Sequence, residues 1–157
     1  MKPNVRAATR FPHDPDPDDP LIGARLRLAL AQIEQRVSAA LVAAGFSDIN
    51  SAHYKVLRFP PPENERPMDL ARRAGMTKQA MNYLLTNLEQ LGYVQRVVEA
   101  GSSNRLVSLT DKGWEVARIQ RANVRAVEEE WSLRFGEDRF RVFYDVLCEL
   151  TPDARTG

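Results

Sequence analysis

The sequence predicts a mainly α domain with a small β-hairpin. Three observations carry this. Apolar residues recur at spacings of three and four through most of the 157 residues. Caps and glycines punctuate those runs at helix-like intervals. A single pair of Val-, Leu- and Tyr-rich segments flanks one Gly/Ser/Asn turn. The length suits one domain. With 43% hydrophobic and 27% charged residues, it can bury a core without disulfides or a structural metal.

Residues 1–19 form a Pro/Asp-rich arm. Five of the ten prolines lie in the first 20 residues, and Asp and Pro alternate from Asp14 to Pro20. Missing donors and like charges predict an extended or disordered segment. It reads either as an inert tail or as an arm touching a partner through Lys2, Arg6 and Arg10. The first helix is expected from Asp19 as N-cap and Pro20 as first helical residue. Leu21, Ile22, Leu26, Leu30, Ile33, Val37 and Leu41 mark its apolar stripe, and Gly45 ends it. Leu28, Ala29, Val42 and Ala43 widen that stripe, which points to a second packing partner such as another subunit.

A second helix is expected over 51–59, capped by Ser51 and ended by Pro60-Pro61-Pro62. The segment "MDLARRA" is a short helix stopped by Gly75. Thr77 then caps a helix whose buried face is Ala80, Met81, Leu84, Leu85, Leu88 and Leu91, ended by Gly92. Its opposite face carries Lys78, Gln79, Asn82, Tyr83, Thr86 and Asn87. Segments 93–99 and 105–109 form the hairpin around a five-residue tip, 100–104. Thr110 caps a long helix that Gly136 breaks after Phe135. A last helix, 137–150, carries Phe140, Phe143, Tyr144, Leu147 and Cys148 on one stripe, and 151–157 is a tail.

The middle of the chain is the informative part. A short helix, a turn at Gly75-Met76, a capped second helix and a two-stranded hairpin make a winged helix-turn-helix. An α-helix fits the major groove of B-DNA, with its N-terminal residues at base edges. Here those residues are Thr77, Lys78, Gln79 and Asn82. Gln and Asn bond adenine bidentately, and Lys reaches guanine or a phosphate. Unpaired N–H groups at the helix start favour an anion. From 66 to 110, six basic residues (Arg66, Arg72, Arg73, Lys78, Arg96, Arg105) face three acids, a net +3. The bland alternative is a solvated helix face. Against it, this helix carries no acid before Glu89, where Glu is otherwise common on exposed helix surfaces.

At this point the chain resembles the MarR family of bacterial transcription regulators. The matching residues are "MDLARRAGMTKQAMNYLLTNLEQLGYVQRV" and "NRLVSLTDKG", and the likeness extends in outline across 21–150. The resemblance implies a winged helix-turn-helix (51–110) flanked by N- and C-terminal dimerisation helices (20–50 and 111–150) within one domain, 20–150. It implies a homodimer placing two recognition helices on a pseudo-palindromic operator, released by a small aromatic or phenolic effector. It implies Thr77, Lys78, Gln79, Asn82 and Tyr83 as recognition contacts, with Arg72, Arg73, Arg96 and Arg105 as the basic residues around them. One feature departs. Family wings commonly carry Asp-x-Arg near the tip, whose Arg enters the minor groove. This chain has Gly101 and Ser103 there, so weaker wing readout is expected.

Other residues divide between bland and functional readings. His53 is either a satisfied core or surface histidine or part of an effector pocket. Trp114, with Trp131 and Phe135, packs the core or dimer or lines such a pocket. Cys148 on an apolar stripe reads as inert rather than redox-active. Glu128-Glu129-Glu130 is a solvated face.

One cysteine allows no intrachain disulfide, and two histidines with one cysteine leave no Cys/His metal set. No cofactor is expected. No run of about 18 apolar residues predicts a membrane span. No signal-type apolar segment opens the chain, so a cytoplasmic protein without membrane contact is expected. No nucleophile–base or metal constellation supports an enzyme. The remaining alternative is a winged-helix protein-interaction module that does not bind DNA. The net charge of +1 comes from 22 basic and 21 acidic residues and hides an uneven distribution. Residues 51–110 carry +3 and residues 111–157 carry −2, so a cationic face and an acidic far side coexist.

Overall fold

Helix α1 (Ile22–Ala43) starts two residues later than the sequence predicts, in a computed structural model that describes residues 19–57, 62–98, 101 and 105–151. Asp19 does not cap it. The Asp19 carboxylate instead accepts from Arg25 at 2.9 Å, and Arg25 Nε also donates to the Pro20 carbonyl at 3.1 Å. A charge-assisted bond to a guanidinium outcompetes a neutral backbone N–H. Leu21 stands at the N-cap without a side-chain bond. Gly45, at φ +92, turns the chain out of the helix as expected.

Helix α2 (Ser51–Leu57) follows. Its cap is Asn50 rather than Ser51: Asn50 Oδ1 accepts from the N–H of Ala52 at 3.0 Å and of His53 at 3.4 Å. Asn reaches two donors from just outside the helix, which a residue already inside it does not. The expected end at Phe59 lies outside the described residues, as do most of the Pro/Asp-rich arm, most of the hairpin tip and most of the tail.

Helices α3 (Pro67–Arg73) and α4 (Lys78–Gln90) make the helix-turn-helix. Gly75 at φ +61 supplies the turn, and the Met76 N–H returns to the Ala71 carbonyl at 2.9 Å. Strands β1 (Val94–Val98) and β2 (Arg105–Leu109) pair antiparallel, from Val94 opposite Leu109 to Val98 opposite Arg105. Tyr93, expected as the first strand residue, instead precedes the strand and is fully buried. Glu65 adds a bridge to the far side of β2. Its N–H donates to the Val107 carbonyl at 3.0 Å, and the Val107 N–H donates back at 2.8 Å.

Helix α5 (Asp111–Phe135) and helix α6 (Glu137–Leu150) complete the chain. Thr110 caps α5 by accepting from the Gly113 N–H at 3.2 Å, and its hydroxyl donates to the Gly92 carbonyl at 2.6 Å. Gly113 is required by space: a Cβ there would sit 2.1 Å from the Tyr93 carbonyl oxygen. α1 and α5 run against each other and are clasped by Arg36, whose guanidinium forks onto the Glu130 carboxylate.

The core lies where α1, α2, α4, the hairpin and the first half of α5 meet. Leu41, Leu57, Met81, Leu85, Leu88, Tyr93, Val107 and Val116 are almost wholly removed from water. The outer end is different. α6 has no buried residue, and Leu21, Ile22, Leu133, Val142 and Leu150 are each more than 60% exposed. Among the described residues, no helix is long and apolar enough to cross a membrane.

Candidate nucleic-acid interface

The recognition helix is built from its inward face. Met81, Leu84, Leu85 and Leu88 are buried against the core, and this fixes the direction of the opposite face. The Thr77 hydroxyl oxygen accepts from the Ala80 N–H at 3.1 Å, a cap that stabilises a helix by about 1 kcal/mol. The other N–H groups of the first turn remain available to an anion. No acid occupies that turn. Thr77, Lys78, Gln79 and Tyr83 are all exposed, Tyr83 to 77%, and Asn82 is half-buried beside them. A compact block of donors, amides and one aromatic ring therefore projects from the start of α4.

The surrounding arginines divide into two kinds. Arg72 is exposed and lies 3.2 Å from Asp69, one turn away, a contact worth little in water. Arg105 is exposed at the start of β2. Arg73 and Arg96 are not free surface charges. Arg73 is 24% exposed and donates to Glu65 at 3.0 Å. Arg96 is 17% exposed, donates to Thr86 Oγ1 at 3.1 Å and the Asn82 carbonyl at 3.4 Å, and has Glu89 at 3.5 Å. The first fastens α3 to the Glu65 bridge, and the second fastens the wing to α4. Both hold the interface in shape rather than project from it.

Behind the helix-turn-helix, a second set of groups locks the hairpin to α5. The Tyr93 hydroxyl donates to Asp48 at 2.5 Å, and the Lys112 ammonium stands 4.0 Å from the Tyr93 ring centre. Burial and the neighbouring carboxylate push the Tyr93 phenol well above its ordinary range. The hydrogen bond from Tyr93 draws the Asp48 carboxyl below its ordinary value.

Two cavities flank the long helices. One of about 560 Å³ lies between α1, α2, α5 and α6, with Ile33, Tyr54, Lys55, Gln120, Val124 and Tyr144 in its wall. The other, about 480 Å³, lies between α1, α5 and α6, lined by Leu28, Trp131, Phe140 and Phe143 with Arg25 and Arg139. His53 and Trp114, the pocket residues expected from the sequence, line neither cavity. His53 is buried and turned toward α4, bonded to Asn87. Trp114 packs against the core at the start of α5.

Residues 61–103 match the model of the MarR family. An HTH-type transcriptional repressor of Mycobacterium tuberculosis, Rv2887, is 32% identical over 137 residues, which are 87% of this chain and 97% of that one. The chain belongs to the MarR family.

The crystal structure of that mycobacterial MarR-family protein in complex with salicylic acid superposes with a TM-score of 0.60, covering 85% of this chain and 98% of that one. The transcriptional repressor CouR of Rhodococcus jostii RHA1, solved on a 23-mer DNA duplex, shares the fold at 19% identity and a TM-score of 0.65, covering 83% of this chain and 92% of that one. Within the MarR frame, two features of this chain were missed from sequence. The Arg96 brace pairs residues from different elements, and no local pattern announces it. Gln120 did leave a signal. It is a polar residue at the helical spacing of Val116, Val124 and Val127, and so interrupts a buried stripe.

Proposed function

We propose that the protein is a homodimeric, ligand-responsive repressor that reads a pseudo-palindromic operator with α4. The observation that carries this is the start of α4. It is a capped, acid-free helix end bearing Thr77, Lys78, Gln79 and Tyr83, fully presented while its other face is locked into the core. Lys78 and the first-turn N–H groups take phosphate or guanine, and Gln79 and Asn82 take base edges. Arg72 and Arg105 add charge beside them. The wing lacks the family's Asp-x-Arg, so the recognition helix carries most of the readout.

Dimerisation is supported by the apolar outer end. α6 buries nothing, and the first turns of α1 expose Leu21, Ile22 and Leu26. A patch of that kind marks an association surface. A second copy joined through α1 and α6 sets two recognition helices for half-sites about one helical turn apart. The effector reading rests on the 560 Å³ cavity, which lies between the long helices and the DNA module and is the size of ordinary small-molecule sites. The salicylic acid complex of the mycobacterial relative makes salicylate the first compound to test. An occupant that prefers one spacing of the recognition helices over the other shifts the dimer away from its operator.

The test is selection of DNA from a random pool, followed by mobility shifts at two salt concentrations with and without salicylate. A pseudo-palindromic product whose affinity falls steeply with salt is expected. A protein that selects no DNA is an interaction module instead.

A further inference from the structure

Helix α2 has two engaged sides. On one side Ser51, Tyr54 and Lys55 form part of the wall of the 560 Å³ cavity. On the other, His53, 3% exposed, reaches the recognition helix. Its Nδ1 accepts from the Asn50 N–H at 3.3 Å. The proton therefore sits on Nε2, which donates to Asn87 Oδ1 at 2.8 Å. Both ring nitrogens are engaged by the neutral imidazole. Apolar contacts between α2 and α4 tolerate sliding, whereas a hydrogen bond weakens steeply once its geometry is lost. His53–Asn87 is thus a directional link between helix α2 and α4.

The cavity itself has an unfinished partner. Gln120 on α5 stands in its wall, 6% exposed, and its buried side-chain Nε2 has no hydrogen-bond partner among the described residues. A buried unpaired amide is a cost that an occupant with a polar group relieves. Such an occupant, held between Gln120 and Tyr54, bears directly on α2.

We propose that His53 is the positioning residue that transmits occupancy of this cavity to α4. An occupant displaces α2, and the His53–Asn87 bond obliges α4 to follow. This rests on the cavity being the effector site.

The test measures operator binding by the full chain in four backgrounds: wild type, His53→Ala, Asn87→Ala and His53→Gln. Each is measured alone, with the cavity filled from within by Val124→Trp, and with salicylate as the added probe. In wild type, filling or salicylate weakens operator binding by about tenfold or more, within the usual span of allosteric couplings. In His53→Ala and Asn87→Ala that weakening shrinks to less than about threefold, while binding with the cavity unfilled stays within about threefold of wild type. His53→Gln, which keeps a donor for Asn87, retains most of the response. Should His53→Ala fail to fold, Asn87→Ala carries the same test from the other partner. Equal weakening in all four backgrounds overturns the relay and leaves the effector site standing. No weakening of wild type by either perturbation, with operator binding intact, removes the effector site and the relay together.

Discussion

The guanidinium of Arg96 on β1 donates to the Thr86 hydroxyl on α4 at 3.1 Å, and so joins the wing to the recognition helix. It also reaches the Asn82 carbonyl, one turn back along α4. Removing it deletes the charge-assisted hydrogen bonds that tie the wing to α4. Arg96→Ala is therefore expected to cost about 1–2 kcal/mol of stability. Operator affinity should fall while base preference stays the same. Arg96→Lys does not restore the wild type, because one ammonium cannot replace a guanidinium whose Nη2 meets both acceptors while its Nε faces Glu89 at 3.5 Å. Urea midpoints and selected-sequence profiles of the two variants check this.

Gly113 meets the Tyr93 carbonyl too closely to carry a side chain. The backbone oxygen cannot rotate away, since it already accepts from the Thr110 N–H at 3.1 Å. Gly113→Ala is expected to destabilise by about 1–3 kcal/mol, the range of overpacking in a packed site. Chemical denaturation with an unchanged slope is the measurement.

The Tyr93–Asp48 bond ties stability to pH. Asp48 titrates below its ordinary value in the folded chain because Tyr93 donates to it. A carboxyl lowered by folding contributes stability above its unfolded pKa, and that contribution is lost as pH falls through the folded value. Wild type is expected to lose stability as pH drops below ~4. Tyr93→Phe removes the donor, so its loss over the same window is shallower and its stability at neutral pH is lower. Denaturation midpoints at neutral and acid pH compare the two.

Lys78 and Arg105 separate helix from wing. Lys78 sits at the exposed start of α4, and Arg105 lies on the strand below a tip that has Gly101 and Ser103 in place of an acid–arginine pair. Lys78→Ala is expected to weaken operator binding more than Arg105→Ala does, and to lower the salt slope by ~1 per subunit if it holds a phosphate. Titrations over a salt series measure both. Equal losses in the two variants place the wing at the DNA.

Much of this architecture was legible in the sequence because its signals are local. Thr77 and Thr110 announce their helices by cap chemistry, and Gly75, Gly92 and Gly136 mark ends where the backbone takes positive φ. The exposed face of α4 follows from the spacing of Met81, Leu84, Leu85 and Leu88. Non-local pairings were not legible. Asp19 was drawn to Arg25, Arg73 turned to Glu65 and Arg96 to Thr86. Each choice was decided by a partner that chain order does not specify. His53 shows the same limit. The sequence left it between a satisfied core or surface histidine and a pocket residue, and burial with the bond to Asn87 makes it the former.

In the proposed function, α4 reads sequence from its exposed N-terminal face. The most direct measurement is fluorescence anisotropy of pool-selected operator DNA with wild type, Lys78→Ala and Gln79→Ala, each also tested against the site mutated at single positions in both half-sites. Gln79→Ala is predicted to lose about 1–3 kcal/mol of discrimination at one position per half-site and little elsewhere. Lys78→Ala is predicted to bind the selected site more weakly than wild type. If both variants bind the selected and mutated sites as wild type does, α4 is not the reading element.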